Sequence, residues 1–214
     1  MKLTVFGATG ATGTHLVGQA LAAGHQVTAV ARRPQGLRVS GADHQALRVV
    51  RADLDDSASL DEAVNGSDAV LSALGSRAGK APTTVYSDGI TGIIAAMGRA
   101  GVRRVIAVSA VPVGAPADKS RLERHVAHPL LYRFFGGAYH DMARMEDLLA
   151  ASDRDWTVFR PPRLTDKPAT GRYRTDLDRP LPRAATLPRG DLAAAMLAAV
   201  GDLASIGRVV TIAR

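Results

Sequence analysis

The sequence predicts an α/β fold: a mainly parallel sheet held between two layers of helices, a three-layer αβα sandwich with a small C-terminal cap. Three observations predict it. Short apolar, β-branched runs alternate with helix-period runs along the whole chain, the pattern of a parallel sheet covered on both faces. A glycine-rich turn, Gly7, Gly10 and Gly13 in VFGATGATGTHL, joins the first strand-like run to the first helix-like run. The 214 residues are 46% hydrophobic with a mean hydropathy of +0.02, enough apolar surface for one sizeable core. Residues 1–214 are therefore read as one domain, with a cap insertion over about 160–188.

The elements follow in order. Residues 3–6 are a short buried strand, and apolar positions at helical spacing over 15–21 make the first helix, which stops at Gly24. A second strand covers 26–31, followed by a loop with Pro34 and Gly36. ALRVVRADL is the third strand, and SASLDEAVNG is a short helix capped by Ser57 or Ser59 and closed by Gly66. DAVLSALG is the fourth strand, a helix runs over about 83–100, and RRVIAVSA is the fifth strand. Beyond Ala110 the rhythm loosens: VPVGAPADKS is loop, and RLERHVAHPLLYRFF is helical with a break near Pro129. HDMARMEDLLAAS is a clearer helix, and DWTVFRPPRL is a strand entering a proline-stiffened loop. Residues 166–187, with GRYRTDL as an edge strand, form the substrate cap. RGDLAAAMLAAVGD is the last helix, with Asp191 near its start, and GRVVTIA is the last strand.

Composition narrows the function. The formal charge is +7 and the pI near 10.3, but arginines recur along the whole chain and aromatic residues are only 4%. Without a basic cluster or stacking platform, no nucleic-acid partner is expected, and an anionic small molecule accounts for the charge. There is no cysteine, so neither a disulfide framework nor a thiolate metal site is possible. His125 and His128 share a helix face without a second histidine-carboxylate cluster, so no metal is expected. Met1-Lys2 leads directly into a strand and no apolar run would cross a bilayer, so the expectation is a cytoplasmic protein without a membrane partner, a monomer or weak dimer.

The strand ends carry the candidate chemistry. Between a strand and a helix, the first glycine permits a tight turn, the second lets a pyrophosphate approach, and the third lets helix and strand pack closely. The helix N-terminus adds unpaired N–H groups and partial positive charge, and Thr9 and Thr12 add hydroxyls. Where an acid after the second strand would accept from a ribose 2′-hydroxyl, the chain has Arg32 and Arg33, which suit the 2′-phosphate of NADP(H). Asp53 either accepts from an adenine amino group, with Leu54 against the ring, or caps the following helix. Leu74 and Gly75, after the fourth strand, would pass the pyrophosphate or the nicotinamide ribose, and Gly75 serves equally as a turn. Thr83 or Thr84 is placed to cap the next helix.

GATGATG, arginine after the second strand, Asp-Leu after the third, ALGSR and PTTVYSDG after the fourth, AVSA ending the fifth and DWTVFRPPRLTD at the sixth resemble the atypical short-chain dehydrogenases. The chain is most similar to their NAD(P)H-binding branch, which includes flavin reductase (biliverdin-IXβ reductase) and the NmrA-like proteins. The resemblance implies a Rossmann-type domain that binds NADP(H) in preference to NAD(H), with an open pocket for a planar acceptor. By matching motif it implies that Gly7, Thr9, Gly10, Ala11 and Thr12 bind pyrophosphate and Arg32, with Arg33 beside it, binds the 2′-phosphate. Asp53 and Leu54 would hold adenine, and Leu74, Gly75 and Arg77 would border ribose and nicotinamide. Ser109 and Ala110 would lie beside the nicotinamide, with Pro161 and Pro162 walling the pocket.

Two departures shape the expected reaction. Typical short-chain dehydrogenases use a Tyr-x-x-x-Lys pair as proton source, and none of Tyr86, Tyr132, Tyr139 or Tyr173 has lysine four residues on. A ketone would need such an acid, whereas a flavin or quinone spreads the new charge over a conjugated ring. The expected activity is thus NAD(P)H-dependent reduction of a conjugated planar acceptor, with Ser109 donating near the reacting rings. Second, Arg163 stands where the flavin reductase branch has a histidine after its prolines, and is expected to attract an anionic group of the acceptor. The alternative is an NmrA-like protein that senses the nicotinamide redox state without turnover.

Overall fold

In the computed structural model, which describes residues 1–37, 44–76, 81–113 and 128–214, side-chain alternation along the strands divides the core in two. In β1 (Lys2–Phe6), Leu3 and Val5 face one helix layer and Phe6 the other. The same division recurs in β4 (Ala69–Ser72), between Ala69 with Leu71 and Val70, and in β5 (Arg104–Val108), between Ile106 and Val105 with Ala107. The first layer holds α1 (Ala11–Ala22) and α5 (Arg189–Ala198), whose Leu16, Val17, Leu192 and Met196 are buried. The second holds α2 (Ser57–Val64), α3 (Val85–Ala100) and α4 (His128–Ala150), which contribute Leu60, Ile90, Ile93, Met145 and Leu149.

The remaining strands are β2 (Gln26–Ala31), β3 (Leu47–Arg51), β6 (Asp155–Arg160), β7 (Arg163–Thr165), β8 (Arg174–Leu177), β9 (Thr186–Pro188) and β10 (Arg208–Ala213). The main sheet has the order β3-β2-β1-β4-β5-β6-β10-β8, parallel except for the antiparallel β10–β8 edge. This is the expected three-layer αβα sandwich. β1 pairs with β2 on one side and β4 on the other, so strand order reverses there and opens a crevice at the carboxyl ends. β7 and β9 form a separate two-stranded parallel ladder within the stretch expected as a proline-stiffened loop and cap.

One local expectation is corrected: Asp56, rather than Ser57 or Ser59, caps α2, because its carboxylate accepts from the N–H groups of both Ala58 and Ser59. From His128 onward α4 runs without interruption through the stretch expected as a separate helix, with proline at its second position, where a missing N–H leaves no helical bond unmade. The segment 121–127 lies outside the described residues.

The glycine turn is fixed by sterics. Gly7 has φ +73°, and a Cβ there would stand 2.5 Å from the Ala73 carbonyl oxygen. A Cβ on Gly13 would stand 2.1 Å from the Gly7 oxygen, so α1 approaches β1 at a distance only glycine permits. Gly13→Ala is expected to lower unfolding free energy by about 2 kcal/mol or more, as an overpacked site does. Gly98→Ala, in α3 with open space around it, is expected to raise it by about 0.5–1 kcal/mol. Urea denaturation of both variants checks the pair.

Candidate functional site

The residues that follow β1 to β6 line one groove of about 1340 Å³ across the carboxyl edge of the sheet. After β1 come Gly7, Thr9, Gly10, Ala11 and Thr12. Gly10 is the N-cap of α1 and offers no side chain to the first-turn N–H groups, and that turn carries no acidic residue. These backbone donors and the helix dipole are thus free to meet an anion. A bound pyrophosphate fits this cradle: a Cβ at residue 10 would already stand 3.1 Å from the Gly7 oxygen, so the backbone itself forms the surface.

Arg32 and Arg33 follow β2, and the parallel register sets Ala31 beside Arg51, the last residue of β3. Arg32 and Arg51 also line a side cleft of about 360 Å³ with Ala52, Asp53 and Asp56. Both carboxylates there are engaged by backbone: Asp53 accepts from Leu54 N–H at 2.8 Å, and Asp56 caps α2. Asp53 is therefore not the helix cap, and it lines the groove with Leu54. Among the described residues Arg32, Arg33 and Arg51 have no ion pair, in contrast to Arg48, Arg99 and Arg103. Sequence reasoning missed Arg51; its position as the last residue before Ala-Asp-Leu was the available signal.

Leu74 and Gly75 follow β4 along the groove, and Arg77 lies outside the described residues. Tyr86, set aside at the sequence level for want of a lysine, is buried at the groove, where its hydroxyl accepts from Ser76 N–H at 3.1 Å. Its place depends on Asp141 of α4, a fully buried carboxylate that accepts from the N–H groups of Tyr86 and Ser87 at the start of α3. Arg144 completes that site at 3.1 Å. Thr84 provides no side-chain cap, and the Thr83 hydroxyl accepts from Val85 N–H at 3.3 Å, so the main cap of α3 comes from another helix. Burial pushes the Tyr86 phenol above its usual 10.0, the Ser76 N–H opposes this, and Asp141 adds to it.

Ser109 and Ala110 follow β5. Ser109 is 3% exposed and its N–H bonds Phe159 O at 2.8 Å, but its hydroxyl has no hydrogen-bond partner. A buried hydroxyl left unpaired costs about 1–3 kcal/mol and calls for a partner. After β6, Pro161 and Pro162 wall the groove. Val111 N–H to Pro161 O ties that wall to the end of β5, and Arg160 is held by Glu146 through a bidentate pair.

Arg163 is the exception to the expected set. It is exposed on β7 and does not line the groove, because strand alternation turns Leu164 inward and its neighbour outward. The groove's cation on that side is Arg189, at the start of α5, paired with Asp166 at 3.1 Å. Asp191, beside it, is spent on structure, accepting from Thr170 N–H, Thr170 Oγ1 and Gly171 N–H. Among the described residues no group of three or more His, Asp or Glu is placed to hold a metal ion, and no helix is long and apolar enough to cross a membrane.

The profile of a family described as NAD(P)H-binding matches residues 7–203. An uncharacterized chloroplastic protein of Arabidopsis thaliana is 31% identical over 175 residues, 79% of this chain and 61% of that protein. The chain thus spans less than two thirds of that relative. Among solved structures, a short-chain dehydrogenase/reductase from Veillonella parvula in complex with NADP superposes with a TM-score of 0.82 at 18% identity, covering 100% of this chain and 94% of that one. An oxidoreductase from Lactococcus lactis gives 0.81 at 22% identity, covering 100% and 91%. At these identities the likeness is one of fold, and it is the fold expected from the motifs.

The raised phenol of Tyr86 fixes the sign of one pH effect. Unfolded chains lose the tyrosine proton near 10, before the native protein does, so its contribution to stability is complete below that pH and is lost as pH rises through the native value. Urea titrations across the alkaline range are expected to show a fall above about pH 10 that is shallower in Tyr86→Phe.

Proposed function

The chain belongs to the NAD(P)H-binding family, and on that premise we propose that it is an NADPH-dependent reductase of conjugated planar acceptors such as flavins or quinones. The observation that carries this reading is the buried Ser109 hydroxyl, unpartnered among the described residues, in a groove whose other end, beyond β1 and β4, presents three arginines with no ion pair among those residues. Bound along the groove, the reduced dinucleotide supplies a hydride. The protein supplies the rest. First-turn N–H groups of α1 take the pyrophosphate, while Asp53 and Leu54 border the adenine.

Preference for NADPH over NADH rests on Arg32 and Arg51, with Arg33 adjacent. Two guanidiniums in one side cleft suit a 2′-phosphate, and the two carboxylates there, Asp53 and Asp56, are each already held by backbone N–H groups. Ser109 O–H donates to the nicotinamide amide or to an acceptor carbonyl, gaining the partner it lacks. Leu74, Gly75, Ala110 and Pro161 then shape the space for two stacked rings, where proximity and orientation carry most of the catalysis. No Tyr-x-x-x-Lys pair is present, which agrees with an acceptor whose reduced anion takes its proton from water. That same absence is what favours the second reading, a redox sensor that binds dinucleotide without turnover.

NADPH oxidation with a panel of flavins, quinones and dyes separates the two: saturable turnover supports the reductase, and tight binding without turnover supports the sensor. Ser109→Ala is expected to lower kcat by roughly tenfold or more, the loss of one charge-stabilising donor; an unchanged rate removes that assignment. Arg32→Met with Arg51→Met is expected to raise KM for NADPH by about tenfold per lost charge-assisted contact and to leave KM for NADH nearly unchanged. Parallel kinetics with the two nucleotides measures the difference.

A further inference from the structure

Arg189 is the one groove-lining arginine that has a carboxylate partner among the described residues, and that partner is weakly placed. The β7–β9 ladder pairs Thr165 with Pro188, so the next residues along it, Asp166 and Arg189, are brought side by side where the ladder ends. The Asp166 side chain is 84% exposed and the Arg189 side chain 24% exposed, joined by a single bond of 3.1 Å. A pair with one partner so fully in water contributes little to stability. An anion inside the groove would meet the same guanidinium in a less hydrated setting, where a charge-assisted bond is stronger. The inward turn of Leu164 and the outward turn of Arg163 leave Arg189 as the cation between the cap strands and α1; its neighbour Gly190 accepts through its carbonyl from the Gln19 side chain of that helix.

We propose that Arg189 is an exchangeable anion clamp: Asp166 holds it when the groove is empty, and a phosphate or carboxylate of a bound ligand takes it over. This rests on the dinucleotide reading and deepens it, because it gives Arg189 the anion-binding part that the sequence expectation gave to Arg163. The anionic oxygens belong either to the dinucleotide's diphosphate or to the acceptor. The exchange makes and breaks only hydrogen bonds and ion pairs. Removing the competitor therefore strengthens ligand binding, whereas removing the guanidinium weakens it.

Titration calorimetry with NADP, and steady-state kinetics with flavin mononucleotide and with riboflavin, test this in the wild type, Arg189→Met, Arg189→Lys and Asp166→Asn. Arg189→Met is expected to weaken the anionic ligand by about tenfold, Arg189→Lys by less, and Asp166→Asn to strengthen it by about two- to fivefold. A loss confined to NADP affinity places the clamp on the diphosphate. A rise in KM for flavin mononucleotide, with riboflavin and NADP unaffected, places it on the acceptor. If Arg189→Met changes none of these while wild type binds NADP and turns over, the clamp is overturned and the dinucleotide reading stands. If wild type binds neither NADP nor NADPH, the dinucleotide reading itself fails.

Discussion

The contact on which the rest depends is the approach of α1 to the end of β1, where Gly13 lies so close to the Gly7 carbonyl that no side chain fits between them. That approach sets the helix axis against the strand, and with it the direction of the first-turn N–H groups. Gly7, at φ +73° against the Ala73 carbonyl, turns the chain sharply enough for the helix to begin at the point where strand order reverses. A longer turn would carry the N-terminus of α1 away from the ends of β4 and β5. The groove would then lose the one place where backbone donors, rather than side chains, meet an anion.

Electrostatics along the groove follow from how the protein spends its acids. Several arginines elsewhere are matched with carboxylates, among them Arg99 with Asp61 and Arg208 with Asp178. Beside Arg32 and Arg51 the two available carboxylates are instead committed to local backbone, one to Leu54 N–H and one to the start of α2. Backbone N–H groups hold these acids in place, while Arg32, Arg33 and Arg51 at the same end have no ion pair among the described residues. The opposite end carries the orphaned Ser109 hydroxyl and, among the described residues, one cation, Arg189, already paired with Asp166, so the unpaired positive charge is concentrated at the first end.

Much of this was legible in the sequence because it is local. Strand ends, glycine spacing and the residues that immediately follow each strand are adjacent in the chain, so Gly7, Thr9, Gly10, Arg32, Leu54 and Leu74 could be placed by counting, and Ser109 and Pro161 through the resemblance. What was missed depends on contacts between distant segments. Arg51 joins Arg32 only through the β2–β3 register, and Asp141 reaches the start of α3 from a helix that begins over forty residues later. Arg163 was expected to attract an anion because it stands after two prolines where the resembled branch has a histidine, with a solvent-facing charge as the other reading. Three residues of strand with a partner at 186–188 fix the alternation and face it outward.

That small ladder also explains why one helix serves both layers of the site. β9 runs directly into α5, so the register that aims Leu164 inward also sets Arg189 at the head of the helix and Asp191 in its first turn. Asp191 draws the 170–171 turn down onto α5 through three donors, which direct that carboxylate to the cap and away from Arg189. The arginine is therefore left with only an exposed partner across the ladder. A buried acid that anchors the cap and a surface acid that merely restrains a cation are thus consequences of one strand-to-helix junction. Rigidity of the cap and freedom of the guanidinium arise together, because the stronger acceptor is consumed by the backbone beneath it.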